Sequence, residues 1–586
     1  MANTIFPSVN GAQVVIPGVY GSVTSSVQFT QSTGNGPLVF IAQSYGVEPN
    51  TPTLFTDPQS LTQAMRGAPS AQYVPFFFNP SSEMSGATQV YLINVSPSLQ
   101  STASIIGTLT AGDITLTSAN YGSPSNLLYY SLSQGSIQGY SLTITDKYSG
   151  QTVSGDNLGY PFGITYTGTA TGVTYQVDNT SPYPTFVLTS SNQGESFSFV
   201  LNPESFPTIT SLVNTINGLG MYSAYVLSSS AGLTPANVLD ISSGPVTVGT
   251  NGTYTYVPAF IGDVVAWVNN FAQGLVTASP TNSGPYFQTY ALTLDSNVQF
   301  TGASNGVPTS TNYADALQSA LTIPASVVFI DNNEQSIVSL ALAHVQAAAS
   351  TGTSLPRRYV TGPSLGASVS TALQLAASLN TSYATVAYPG GYSAVSGVNT
   401  LYSSLTTAAM YAGMMAGNVP RIPLTNKTIN YTALETNLSV SQIESLQSGG
   451  VMCAYLPAST KLPTIATDVT TWLNSDNPSY IYNQQVALST ALLENLISNL
   501  QSFVGSDVVS TNITGGQIRN RILRAINRVT GTIVSPGYPV NVSLSYNQLT
   551  ESWSVKVGVV LLAQTRYIIL SISLNPQSSQ VTASVT

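Results

Sequence analysis

The chain is poor in charge: Asp, Glu, Lys and Arg make up 6% of its 586 residues, against about 25% in ordinary soluble proteins. It has one cysteine, Cys453, which excludes an intramolecular disulfide framework and any Cys-rich zinc or iron–sulfur centre. Its one histidine, His344, excludes a multi-histidine metal site within one chain and leaves little for ordinary acid–base catalysis. Long apolar runs are also missing. Ala408–Gly417 is too short to span a bilayer, and Val557–Leu574 is interrupted by Gln564 and Arg566. No transmembrane helix, and so no integral membrane association, is expected. The start, MANTIFPSV, has neither the basic nor the apolar region of a signal peptide.

What remains is 43% hydrophobic, too apolar for a disordered chain, and long enough for about four domains. The polar quota is Ser, Thr, Asn, Gln and 33 Tyr. Such a neutral surface gives little colloidal repulsion and suits a chain with much surface committed to partners. The charge is unevenly spread. Residues 67–356 hold one base, Lys147, against 13 acids, whereas residues 357–586 hold 11 bases against seven acids. Such asymmetry implies different neighbours for different parts of the chain.

Residues 1–35 read as extended, with Pro7 and Pro17 preventing helix. In 36–95, strands are expected at Leu38–Ala42 and Gln89–Val95, and a helix at Asp57–Met65, with Asp57 as N-cap and Pro58 at the first helical position. Residues 96–310 read as β-rich, with short helices near 208–218 and 262–272. Alternation at Ile164/Tyr166, Val173/Tyr175/Val177 and Phe197/Phe199 implies sheets with one wet face. In 311–460, Val327–Ile330 and Tyr383–Tyr388 are strand-like, while Ser336–Ala349, Ala372–Leu379 and Thr406–Gly417 are helical. That alternation points to an α/β layer with parallel pairing. Two helices, Ile481–Phe503 and Gln517–Val529, then strands near 539–546, 551–562 and 566–574, lead to a polar extended tail, 575–586.

Gln517–Val529 is the sharpest local feature. Ile518, Ile522, Ala525, Ile526 and Val529 share one face, and Arg521, Arg524 and Arg528 fall within an arc of about 60° on another. Guanidinium groups so placed suit carboxylates or phosphates. The ridge is read as a solvated face, a protein interface or, with no aromatics interleaved, less favourably a nucleic-acid contact. Asp331 and His344 precede many serines in a known triad order, but a lone histidine on the apolar–polar edge of a helix reads as structural rather than catalytic. There is no P-loop, no dinucleotide fingerprint and no EF-hand loop, so no catalytic, metal or cofactor residue is assigned. The termini are β-prone. Such strands are either covered within one chain or pair with other subunits.

Several motifs, in order, resemble the contractile tail sheath proteins of phages and related injection machines: Pro17-Gly18-Val19-Tyr20; Leu38–Ala42 with Gly46; Asp57–Met65 followed by Gly86–Val95; Ser336–Val345 with Arg357-Arg358; Asn380–Pro389; Ala409–Gly417 with Pro420–Pro423; and Gln517–Val529 with the closing strands. Residues 96–310 match nothing specific.

The resemblance implies an α+β multidomain fold: an α/β, subtilisin-like but non-catalytic core, a C-terminal α+β domain with strand-exchanging termini, and inserted β-rich outer domains. The expected division is an arm (1–35), a first part of the core (36–95), outer domains (96–310), the α/β core (311–460), an inner C-terminal domain (461–574) and a C-terminal arm (575–586). It also implies hexameric rings of self-assembled subunits stacked around a tail tube protein, with baseplate and tail terminator proteins as further partners and no direct nucleic acid. The setting would be a virion tail assembled in the host cytoplasm. Strand exchange is expected at Val14, Val15, Ile16, Val19 and Tyr20 and at Ile568, Ile569, Leu570, Ile572 and Leu574. The acidic middle is expected outside, and the Arg521/Arg524/Arg528 ridge facing the tube. A surface-layer or capsid-type lattice protein is the alternative reading.

Overall fold

The computed structural model describes residues 36–108, 113–179, 182–249, 252–281, 287–350, 356–395, 397–457, 462–474, 480–505 and 511–563, plus the backbone of four short strands, Ser8–Val9, Ala12–Gln13, Leu570–Leu574 and Val581–Val585. It is a mixed α/β protein of two compact units. One comprises residues 1–44, 49–95 and 308–586, the other 45–48 and 96–307.

The first unit is built on an eight-stranded sheet. Its elements are β1 (Leu38–Ala42), β2 (Thr53–Phe55), α1 (Pro58–Met65), β3 (Val90–Asn94), α2 (Ser310–Ala320), β4 (Val327–Ile330), α3 (Gln335–Ser350), β5 (Arg358–Thr361), α4 (Val369–Leu379), β6 (Ala384–Tyr388), α5 (Ser404–Gly417), α6 (Val440–Ser448), β7 (Val451–Tyr455) and β8 (Thr464–Ile465). The strand order is β8-β7-β6-β5-β4-β1-β3-β2. The six central strands run parallel, and only β2 and β8 are antiparallel. Buried on both faces, β1, β4 and β6 read as unbroken apolar or small-residue runs.

One face of the sheet packs Val39, Ile41, Val328 and Val386 against Tyr313, Ala341, Ala372 and Leu446 of α2, α3, α4 and α6. On the other face Phe40, Tyr73, Phe77 and Phe329 pack with ring centroids 4.8 to 6.4 Å apart, and α5 is buried along its whole length. The helix start read at Asp57 is present: its carboxylate accepts the Ser60 N–H at 2.8 Å. Among the described residues no helix is long and apolar enough to cross a membrane.

The chain leaves this sheet after β3 and returns at α2; the residues between form the β-rich second unit. It has two apolar centres. One gathers Phe162, Ile164, Tyr175 and Phe186 with Leu212 and Ile216 of the helix Ile209–Asn217. The other gathers Leu116, Tyr130, Leu142 and Ile144 with Val264, Trp267 and Val268 of the helix Gly262–Phe271. The alternation in Val173–Asp178 matches its burial. Phe162–Tyr166 corrects the one-wet-face expectation, because all five residues are buried. Thr165 is covered by the carbonyls of Thr247 and Gly249, and Gly163 lies beneath Tyr225, Tyr254 and Tyr256.

The first unit ends in α7 (Asn483–Leu500), α8 (Thr511–Val529), an antiparallel hairpin of β9 (Asn541–Asn547) and β10 (Ser552–Gly558), and a second hairpin of β11 (Leu570–Leu574) and β12 (Val581–Val585).

Candidate functional site

In the C-terminal part, Leu488, Leu492 and Leu496 of α7 meet Ile518, Ile522, Ala525, Ile526 and Val529 of α8, with Val542, Val559 and Leu561 closing the core. The stripe read from α8 is therefore its buried side. Arg521, Arg524 and Arg528 are exposed. Arg521 Nε donates to the Asn499 carbonyl at 3.2 Å, placing a cation on the last turn of α7, where the helix dipole favours it. Arg528 occupies the last turn of its own helix.

The hairpin beside these helices turns Val542 inward and leaves Ser543, Ser545 and Asn547 exposed. Among the described residues its sheet stops at two strands, so each strand keeps one unpaired backbone edge. Of the residues expected in strand exchange, Val14, Val15, Ile16, Val19, Tyr20, Ile568 and Ile569 lie outside the described residues. Leu570, Ile572 and Leu574 lie in β11, paired with Val585, Ala583 and Val581 of the same chain.

Asp331 and His344 are not brought together. Asp331 follows β4, at the carboxyl ends of β4 and β1, where the order of strand connection reverses; in open α/β sheets that crevice is the usual ligand position. Here its carboxylate accepts the Gln43 N–H at 2.9 Å, the Tyr313 hydroxyl at 3.0 Å and the Ser70 hydroxyl, so the chain's own side chains occupy the position. Burial raises its pKa against those donors. His344 instead faces Arg357, Nε2 to Nη1 3.5 Å. The Arg357 guanidinium also donates to the carbonyls of Ala320 and Ile323 at 2.7 and 3.1 Å. Burial, then the Arg357 charge, pushes His344 down to about 4, so it is neutral.

A second buried polar cluster went unread in the sequence. The Tyr411 hydroxyl of α5 donates to Asp468. Asn483 Nδ2, at the start of α7, donates to Thr385 Oγ1 at 2.9 Å and the Val469 carbonyl at 2.8 Å. Burial lowers the pKa of Arg358 beside them, and pushes the Glu494 carboxyl of α7 up to about 7 although Arg358 opposes that rise. These groups tie α7 to the sheet. Their positions span more than 130 residues of chain, with no motif to reveal them.

The fold and these clusters define a mixed α/β protein with a large β-rich insertion, whose polar groups join elements together. No family model matches the chain. The tail sheath protein of Bacillus phage SP01 is 26% identical over 521 residues, covering 86% of each chain. The sheath tail protein of Desulfitobacterium hafniense superposes with a TM-score of 0.52 at 10% identity, over 93% of this chain and 100% of that one. That of Listeria innocua gives 0.53 at 9% identity, over 95% and 96%. The two structures share the fold, and the phage relative is a homologue by sequence. The resemblance to contractile tail sheath proteins therefore holds over most of the chain.

Proposed function

We propose that this chain is the structural, non-enzymatic subunit of a contractile tail sheath, forming hexameric rings that stack around an inner tube and shift outward on firing to drive the tube through a target envelope. The observation that carries this reading is the homology to a phage tail sheath protein along 521 residues.

In this reading the parallel sheet and its helices are the subtilisin-like core without a working triad, residues 96–310 form the outer domains, and α7, α8 and the hairpin face inward. The two free edges of the β9–β10 hairpin receive strands from the arms of neighbouring copies. Isolated two-stranded hairpins are marginal in water, and residues 1–35 and 575–586 contain no Asp, Glu, Lys or Arg to block edge pairing. Arg521, Arg524 and Arg528 give the tube a screened, breakable electrostatic contact. Baseplate and terminator proteins close the two ends of the cylinder. Assembly takes place in the host cytoplasm, and the product is part of a virion tail. Contraction is a rigid-body switch between two sets of interfaces.

Electron microscopy of the purified protein tests the reading. Hollow helical cylinders are expected; planar sheets, closed shells or dispersed monomers under assembly conditions contradict it.

A further inference from the structure

In the inserted unit, the helix Gly262–Phe271 begins on two fully buried carboxylates. Asp240 accepts the N–H groups of Ile261 at 2.9 Å and Gly262 at 2.7 Å, the orphan donors of the helix start. Asp263, in the first turn, accepts the Gly159 N–H at 2.7 Å and the Ser228 hydroxyl at 3.1 Å. Ser230, fully buried, turns its hydroxyl toward Asp263 without completing a hydrogen bond. The fit around Asp240 is tight: a Cβ on Gly262 would lie 2.8 Å from Asp240 Oδ1.

Among the described residues of this unit no cation answers these two charges. The unit's one base, Lys147, sits 3.5 Å above the ring of Tyr129, and the unit has no histidine. The groups facing the pair from the neighbouring elements are the hydroxyls of Ser228, Ser230 and Thr289 and the Gly159 N–H. The nearby Asp156 turns its carboxylate to Ser136 instead. Tyr140 and Tyr160, raised further by burial, stay neutral.

We propose that Asp240 and Asp263 form a proton-binding pair, and that the inserted unit becomes more stable, not less, on mild acidification. Two anions buried without a counter-ion lack water, and the Asp263 charge adds a smaller repulsion at Asp240. A proton on Asp240 removes one charge, and its O–H can donate to Thr289 while the carboxyl oxygens still accept from the helix start. Burial holds Asp240 at about 7 and Asp263 at about 6, both above the ordinary 3.8. The sign follows: the native state binds protons more readily than the unfolded chain. The stabilisation is complete below the unfolded carboxylate range and is lost as pH rises through 6 to 7. Acid denaturation usually runs the other way, because native carboxylates are usually paired. The pair belongs to the unassembled chain, so the proposal is independent of the sheath reading.

Trp267 lies on this same helix, and the other tryptophans are Trp472 and Trp553. The full chain carrying Trp472→Phe and Trp553→Phe therefore reports the inserted unit by fluorescence. Urea unfolding is followed at about pH 7.5 and about pH 5. The unfolding constant is expected to fall roughly tenfold or more at the lower pH. Asp263→Asn, whose amide still accepts from Gly159 and can donate to Ser228, and Asp240→Asn are each expected to reduce that dependence. Asp263→Asn decides the matter if Asp240→Asn does not fold. A flat or opposite dependence overturns the proposal, as does an undiminished one in the variants that fold.

Discussion

Gly413, in the middle of α5, lies directly against the main chain of Phe77: a Cβ on Gly413 would stand 2.5 Å from the Phe77 carbonyl oxygen and 3.0 Å from that of Phe76. The fully buried helix thus approaches the segment 74–78 closely enough for backbone to touch backbone, which only glycine permits. Gly413→Ala gains about 1 kcal/mol of helix propensity but incurs about 3 kcal/mol of overpacking against atoms that cannot yield. A net loss of about 2 kcal/mol is expected. Gly516, a partly exposed residue of α8, meets nothing within 4 Å, and Gly516→Ala is expected to stabilise by about 0.5–1 kcal/mol. Denaturant unfolding of both variants checks the contrast; equal effects would contradict the packing described.

His344 supplies a pH dependence opposite in sign to that of the inserted unit. Its native pKa is depressed to about 4 from 6.5 by burial and by Arg357. Its contribution to stability is therefore present above 6.5 and lost as pH falls toward 4, by up to about 3 kcal/mol. His344→Gln keeps an acceptor for Arg357 and does not titrate. Unfolding free energies of the two proteins, compared at about pH 7 and about pH 4.5, should show the wild type losing more than the variant. Equal losses would mean that His344 is not held neutral.

The arginine ridge has an internal control. Arg519, Arg521, Arg524 and Arg528 are all exposed, but at about 100° per residue Arg519 flanks the buried stripe on the opposite side from the other three. Replacing Arg521, Arg524 and Arg528 with Glu should abolish extended assembly of sheath with tube at ordinary salt, whereas Arg519→Glu should leave it largely intact. Co-sedimentation or electron microscopy reads the result, and normal extended assembly of the triple variant would remove the tube-facing role.

Legibility in the sequence followed the range of the interactions. LVFIA at 38–42 announced a strand, and Asp57-Pro58 announced a helix start, because both signals are local. The helices Ser310–Ala320 and Val440–Ser448 went unread although capping boxes mark both, Thr309 with Asn312 and Ser439 with Gln442; their exposed faces are too polar to stand out. The stripe and ridge of α8 were legible because a helix maps spacing onto faces. The one-wet-face reading of Phe162–Tyr166 failed because its second cover comes from Tyr225, Tyr254 and Tyr256, distant in sequence. Asp240 and Asp263, like Arg358, Asp468 and Asn483, meet only through the fold, and no spacing foretells them.

In the proposed sheath a single copy is incomplete, and neighbours complete it by lending terminal strands to the β9–β10 edges. The most direct test removes residues 1–20 and 575–586 and examines the product by electron microscopy beside the full chain, with circular dichroism to confirm folding. The full chain is expected to form hollow helical cylinders, and the trimmed chain to fold yet remain dispersed. Cylinders of unchanged form from the trimmed chain would rule out completion of the subunit by lent terminal strands.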